Sequence, residues 1–504
     1  MFSNILASMP LLFSPYNLLA VLFGTVAGIV FGSLPGFTAS MGIAVLIPVT
    51  FGMDPATGLI MLGGVYCGGI YGGSISAVLL RTPGTDASAL TAIDGFELTK
   101  QGRGREGLTE SAVASWWGGI FSAIVLLFFA PILSQVSLLF GPFENLMLAV
   151  FGMSIIALVC SDSFLMGLIG GLIGLLIGTI GIDPVYGNDR FTFGITALLS
   201  GVALVPALIG LFSISQLMMM AKSNMNKILS VNSREALGDS RVSLADFVRY
   251  PWVYLRSSII GTLVGIVPAA GTTIATFLSY NEGKRRSKEK ELYGKGSREA
   301  IACIEAANNA VTGGSLVPTL TLGIPGNSVT AILMGGLMIQ GLTPGYSLFT
   351  AQAHITYPFI LSLFLANTIF LLIGLFGAYY FSKIVTAPVN VLIACISVMC
   401  VMGTFALRST MTDVYTMLIF GVVGYVFRII GIEPIPIILG MILGPIGDRA
   451  LTQSLVLSRN SSLFSAMFSR PICIVLGLLT LATVLLPVWQ YYKKKSGTAA
   501  GVLA

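Results

Sequence analysis

"LLRTPGTDASAL", Leu79–Leu90, interrupts a long apolar stretch with a Pro-Gly pair and sets Arg81 and Asp86 beside the interruption. "LGIPGNSVTAIL", Leu322–Leu333, repeats the pattern: Pro-Gly, three residues, then a small hydroxyl, Ala and a branched aliphatic. Proline removes an amide hydrogen and clashes with the preceding turn, and glycine reaches dihedrals closed to other residues, so each pair ends a helix. Inside a bilayer the freed amides and carbonyls survive only if packed in protein or lining a polar cavity. Helix ends also carry partial charge, N-termini drawing anions and C-termini cations.

The surroundings of the two breaks are those of a membrane protein. Of 504 residues, 55% are apolar and only 10% charged, where a water-soluble domain carries about a quarter charged. Runs such as Leu18–Leu34, Gly118–Leu139, Phe164–Ile182, Phe359–Phe381 and Ile472–Trp489 approach or exceed the ~20 apolar residues that span a bilayer. They predict an all-α polytopic protein with about ten to twelve transmembrane helices plus broken or re-entrant segments. The runs are continuous rather than alternating, which excludes a barrel of strands. No basic segment precedes the first apolar run, so no cleaved signal peptide is expected.

Charge is concentrated. Lys222, Lys227, Arg234, Arg241, Arg249 and Arg256 fill one polar connection, and Lys284, Arg285, Arg286, Lys288, Lys290, Lys295 and Arg298 fill the next. The positive-inside rule places both in the cytoplasm. No nucleic-acid partner is expected. The six cysteines form no C-x-x-C pair and read as small buried hydrophobes. A single histidine, His354, excludes His-rich metal sites and most hydrolase templates.

Internal repetition organises the chain. Gly28-x-x-x-Gly32-x-x-Pro35 recurs as Gly261-x-x-x-Gly265-x-x-Pro268, "GGSI" at Gly72–Ile75 as "GGSL" at Gly313–Leu316, and "IGIDP" at Ile180–Pro184 as "IGIEP" at Ile430–Pro434. With the Pro-Gly pairs these four matches are collinear. They divide the chain into an N-terminal segment (1–16), a first transmembrane repeat (17–220), a basic cytoplasmic linker (221–256), a second repeat (257–456) and a C-terminal helix with basic tail (457–504). The basic loop Asn281–Gly296 corresponds to the turn Gly52–Thr57, which holds Asp54 and no base. The halves are therefore expected to be inverted-topology repeats, the plan of transporters whose central site forms where broken helices meet. Such a protein works as an elevator-like or rocking carrier.

Hydroxyls and amides around the breaks can donate to a carboxylate or give oxygens to a hard cation. They pack helix contacts equally well, and the GxxxGxxP motifs share that ambiguity. Substrate contacts are expected from Arg81, Thr82, Thr85 and Ser88 at the first break, Pro83-Gly84, and from Pro35, Gly36 and Thr38. Contacts to a coupling cation are expected from Asp86, Asn308, Asn309, Thr312, Asn327, Ser328 and Thr330, most of them around the second break, Pro325-Gly326. Arg81 suits a carboxylate by its bidentate guanidinium, or else snorkels to the interface or pairs with Asp86. Asp86 in turn reads as ion partner, cation ligand or helix cap. No other cofactor is expected, and no G-x-x-x-x-G-K-[ST] phosphate loop occurs.

"LPGFTASMGIAVLIP" at Leu34–Pro48, "GGIYGGSISAVLLRTPGTDASALTAIDGFELTKQGRGREGL" at Gly68–Leu108 and "EAANNAVTGGSLVPTLTLGIPGNSVTAILMGGLMIQGLTPG" at Glu305–Gly345 together resemble the large membrane subunit of tripartite tricarboxylate transporters. The resemblance runs from about residue 15 to 460. It implies a bacterial inner-membrane secondary transporter with two partners, a small four-helix membrane subunit and a periplasmic solute-binding protein that delivers a carboxylate solute. It implies Na+ or H+ as the coupling ion. Arg81 and Asp86 stand where the family pattern has uncharged residues, so the resemblance leaves the solute open. The competing readings are a standalone anion permease or channel and, from another class, an intramembrane enzyme. Two symmetric breaks oppose a channel. Asp162, Asp183, Glu305 and Asp413 lack the paired spacing an enzyme would need.

Overall fold

The computed structural model describes residues 2–159, 164–183, 186–222, 237–238, 243–268, 271–377, 380, 388–458 and 462–500. Half of the basic linker, Asp162 and Pro184 lie outside the described residues, and so do the side chains beyond 485.

The protein is all-α. It begins with α1 (Phe2–Leu12) and α2 (Pro15–Ser33), turns into α3 (Ala39–Thr50) and continues as α4 (Pro55–Leu80). Past the first break come α5 (Thr91–Lys100) and α6 (Gly104–Val136), then α7 (Pro142–Val159) and α8 (Phe164–Gly178). A two-stranded antiparallel ribbon pairs Gly181–Ile182 with Asp189–Arg190. It leads to α9 (Leu204–Lys222), which is π-helical over Ile209–Ile214. The second half gives α10 (Pro251–Ile266), α11 (Gly271–Arg286), α12 (Arg298–Leu322) and, past the second break, α13 (Ser328–Ile339). The remaining long helices are α14 (Ala353–Phe376), α15 (Val389–Arg408), α16 (Met411–Ile429), α17 (Pro434–Leu457) and α18 (Pro471–Ala500).

Among the described residues eight helices are long and apolar enough to cross a membrane: α2, α4, α6, α9, α14, α15, α16 and α17. α1, α3, α8 and α13 are shorter apolar helices, and so are the described parts of α7 (Pro142–Ile155) and α18 (Pro471–Leu485). This is a multi-pass membrane protein. The central α12 is 25 residues long and buried over almost its whole length, yet it is not one of the eight. Its run of Asn, Thr and Ser with Glu305 keeps it polar.

The chain packs as two compact units, Met1–Ser137 with Leu208–Gly421, and Leu138–Ala207 with Val422–Ala504. In the second, α8 and α17 approach at glycines, with Gly174 against the Ile437 carbonyl and Gly440 against that of Gly171. Two arginines hold its polar ends. Arg190 pairs with Asp183 and Asp448, and Arg470 pairs with Glu144 at 3.0 Å while covering the Phe143 ring.

The first unit carries both breaks, and its halves make the same contacts. Gly28 and Gly32 of α2 lie against the carbonyls of Val65 and Gly69 of α4. Gly261 and Gly265 of α10 lie against those of Ala307 and Val311 of α12. Gly72 meets the Ile29 carbonyl as Gly314 meets that of Thr262. The repeated G-x-x-x-G is thus a close helix contact in both halves, the packing role that small residues play in membranes.

Elements also exchange between halves. Gln340, just past α13, donates to the Thr50 carbonyl at the end of α3 (2.8 Å). Gln101, just past α5, donates to the Lys295 carbonyl in the loop after α11 (3.1 Å). Each half thus bonds to the other.

The polar loop side of this unit is stapled by charge. Arg298 Nη2 bonds Glu110 and Asp246, both at 2.9 Å, and Tyr254 donates to the other Glu110 oxygen at 2.7 Å. Asp94 Oδ1 accepts from the amides of Gly294, Gly296 and Ser297. These contacts hold α5, α6 and α10 to the start of α12.

A Cβ on Gly84 would run into the Gly32 carbonyl, and one on Gly326 into Ser315 and the Gly265 carbonyl. Gly52 has nothing within 4 Å of its added Cβ. Gly84→Ala and Gly326→Ala should each lower stability by about 1–3 kcal/mol, the cost of overpacking, whereas Gly52→Ala should stay near neutral. Thermal melting of the purified variants in detergent checks this, and equal melting of all three would contradict the packing described.

Candidate functional site

Each break is a left-handed residue followed by Pro-Gly and a capped helix. α4 ends at Arg81, φ 59°, whose amide bonds the Ala77 carbonyl, and α12 ends at Gly323, φ 69°, bonded back to Pro318. This is the position that glycine normally fills after a helix. Gly323 obeys the rule and Arg81 does not.

Beyond the breaks both chains form the same capping box. Ser88 Oγ accepts from the Thr85 amide (3.1 Å) and donates to its carbonyl (2.7 Å). Thr330 Oγ1 accepts from the Asn327 amide (3.0 Å), and Asn327 Oδ1 accepts from the Thr330 amide (2.9 Å). Thr85, Ser88, Asn327 and Thr330 therefore use these hydrogen bonds to start helices. Their spacing, three residues apart before an apolar run, was a readable signature.

The breaks fold back onto α4. The Gly84 amide reaches the Gly73 carbonyl (3.3 Å). At the second break Asn327 Nδ2 donates to Tyr66 Oη (2.7 Å) and Ser315 Oγ (3.1 Å), and those two hydroxyls are 2.8 Å apart. Tyr66 and Gly73 are seven residues apart on one helix, about 10 Å at 1.5 Å per residue. α4 therefore brings the two breaks into one neighbourhood.

The Leu34–Thr38 turn runs between them. Gly32 at its start holds Gly84, and Ser40 just after it bonds Ser328 Oγ at 3.3 Å. Thr38 caps α3 by accepting from the Met41 amide (3.2 Å). Gly36, φ 84°, offers its carbonyl to Gln216 of α9 at 3.0 Å. Pro35, Gly36 and Thr38 thus gather with Asn327 and Ser328 of the second break. The N-termini of α3 and α13 converge there, and Gly36, Thr38, Asn327 and Ser328 are all half-buried. Ser40 was absent from the sequence-based set, because its partner lies 288 residues away.

The first break is more open. Arg81, Thr82 and Pro83 are exposed, Gly84 is buried, and the Asp86 side chain lies outside the described residues. Asn308, Asn309 and Thr312 are buried deeper along α12. Thr312 donates to the Asn309 carbonyl (2.6 Å), and Asn309 Nδ2 donates to the Ser115 carbonyl of α6 (3.2 Å). Asn309 thus sits against α6 rather than with the Asn327 cap. Glu305, one turn before Asn309, is fully buried and accepts from Thr91 and Ser115.

The profile of the tripartite tricarboxylate transporter TctA family matches residues 18–439. The chain belongs to that family. It is therefore the TctA-type subunit of a tripartite transporter, a system of several subunits. It is similar to an uncharacterized 52.8 kDa protein in the TAR-I ttuC' 3' region of Agrobacterium vitis, with 33% identity over 493 residues covering 96% of each chain. An uncharacterized protein in the TAR-II ttuC' 3' region of the same organism is 33% identical over 230 residues, 45% of this chain and 94% of that one. No solved structure matches. In this TctA-family chain the Leu34–Pro48 and Glu305–Gly345 segments meet at Ser40–Ser328.

A side chain in the left-handed region costs about 1–2 kcal/mol over glycine. Arg81→Gly should therefore raise stability by about 1 kcal/mol. If the guanidinium serves the solute, the same variant should raise the half-saturating solute concentration. Melting and uptake measured together check both arms, and a less stable variant would show that Arg81 is held by contacts worth more than its strain.

Proposed function

We propose that this chain is the membrane subunit of a binding-protein-dependent secondary transporter of the bacterial inner membrane that imports carboxylate solutes, tricarboxylate-like, by symport with Na+ or H+. The observation that carries the reading is the convergence of the α3 and α13 N-termini at Ser40 and Ser328 (3.3 Å). Two helix N-termini present unpaired amides and two positive dipole ends to one place, which is how a helix terminus receives an anion. Discontinuous helices aimed at a solute carboxylate are the transporter form of that device. The hydroxyls add donors, and the half-buried setting leaves a solute a way in.

The sequence-based division of residues is redrawn by these contacts. Pro35, Gly36 and Thr38 stay with the solute, and Ser328 joins them with Ser40. Asn327 and Thr330 shape the α13 terminus. Arg81, Thr82, Thr85 and Ser88 at the open break meet a further carboxylate, with Asp86 beside them. Asn308, Asn309 and Thr312 stay with the coupling cation.

The reciprocal closing of the halves supports inverted-topology repeats, with the basic Lys284–Arg298 loop in the cytoplasm. Motion is an elevator-like slide or rocking about this site. A small four-helix membrane subunit and a periplasmic solute-binding protein complete the system, the latter delivering solute. No chemical step is assigned to the chain, which acts as carrier and not as enzyme.

Reconstitution of the three subunits in vesicles tests the proposal. Carboxylate uptake should follow an imposed cation gradient and depend on the binding protein. A hydrogen bond to a charged group contributes about 1.5–3 kcal/mol, so the double variant Ser40→Ala/Ser328→Ala should raise the half-saturating solute concentration at least about tenfold. Unchanged uptake in that variant would remove the solute from the α3–α13 junction.

A further inference from the structure

Seven carboxylates are buried among the described residues: Asp94, Glu110, Glu144, Asp183, Asp246, Glu305 and Asp413. Glu110 and Asp246 pair with Arg298, Glu144 with Arg470, Asp183 with Arg190 and Asp413 with Arg408. Asp94 receives three backbone amides. Glu305 differs from all of them. Its oxygens receive the hydroxyls of Thr91 from α5 and Ser115 from α6 (3.2 Å), and no salt bridge reaches it. A buried, uncompensated carboxylate is among the costliest groups a membrane protein can hold. It calls for a positive partner.

Two neighbours point to what that partner is. Asn309, on the next turn of α12, spends its Nδ2 on the Ser115 carbonyl, leaving its buried Oδ1 without a hydrogen bond. Asn308 lies beside the Glu305 carboxylate, and both its Oδ1 and its Nδ2 are buried without a hydrogen-bond partner. Unsatisfied buried oxygens are rare and need a cause. A proton would neutralise Glu305 and leave both amide oxygens stranded. A hard cation uses them all.

We infer that Glu305, Thr91, Ser115, Asn308 and Asn309 form a binding site for a small monovalent cation, sodium by its chemistry. One carboxylate with neutral hydroxyl and amide oxygens matches a single positive charge. Calcium takes more ligands and usually several carboxylates. The site also has a consequence for movement. α5 follows the first Pro-Gly break, α12 precedes the second, and Thr91 is three residues beyond the Ser88 cap. Sodium held here draws α5, α6 and α12 together and so fixes both breaks. Its role in coupling rests on the transporter reading above, but the binding does not.

The test is thermal unfolding of the purified chain in detergent, titrated with sodium chloride against choline chloride at constant ionic strength. Sodium should raise the melting temperature of the wild type saturably, as any ligand of the folded state does. Glu305→Gln removes the charge at constant shape. It should melt in choline at least as high as the wild type and lose the sodium increment. Thr91→Val should keep the increment with the half-saturating sodium concentration raised about tenfold, a usual cost of losing one polar partner at a cation site. A full sodium increment in Glu305→Gln would overturn the inference, and so would a wild type that responds to pH but not to sodium. The reconstituted three-subunit system separates the two readings. Carboxylate uptake that persists without any sodium response leaves the transporter standing and removes this site, whereas sodium binding without uptake does the reverse.

Discussion

A helix broken inside a bilayer must find protein for every backbone group it frees, and here that protein is backbone at the first break and a hydroxyl at the second. The Gly84 amide turns back to the Gly73 carbonyl, and the glycine itself rests on the Gly32 carbonyl. Gly326 rests on Ser315 and the Gly265 carbonyl, and its amide turns back to the Thr319 hydroxyl. No side chain could intervene at such separations. The glycines of the long helices follow from this constraint, since α2 must reach α4, and α10 must reach α12, before the breaks can be covered. The capping boxes Thr85–Ser88 and Asn327–Thr330 then complete the other side of each break. Packing and site are thus one problem. The contact that shields the freed backbone also fixes where the new helix N-terminus points.

This explains which parts of the architecture were legible in the sequence. The membrane class follows from composition, and the collinear glycine motifs foretold contacts that recur in both halves. Such features are local: a G-x-x-x-G face or an N-cap is written in a few adjacent residues. The site was legible only in part, because its contacts span the chain. Ser40 reads as one more small residue of an apolar helix until Ser328 is set beside it. Glu305 showed no paired acid or base in sequence, and its partners Thr91 and Ser115 stand 214 and 190 residues away. Asn327 and Thr330 carried a readable N-cap spacing, but the abundance of oxygen donors there suggested a cation instead. Counting donors is a poor guide when the backbone has first claim on them.

The two breaks, alike in plan, differ in what they expose. At the second, Gly323 takes the left-handed turn and the segment to Gly326 is buried, with Asn327 anchored to Tyr66 and Ser315. At the first, Arg81 takes that turn, and Arg81 through Pro83 are exposed. Where Tyr66 stands to hold the second cap, the corresponding place in the other half is Asn308, beside Glu305. A hydroxyl-bearing ring that closes one break is thus replaced by an amide next to a carboxylate. The two breaks are alike in backbone plan and unequal in side chains. The second break is tied shut by neutral hydrogen bonds, and the first keeps a strained, charged residue at its mouth, with Glu305 of α12 bonded to Thr91 just beyond it. Strain and uncompensated charge are what a working site retains when the scaffold around it can hold them. On physical grounds the first break is therefore the less relaxed of the two.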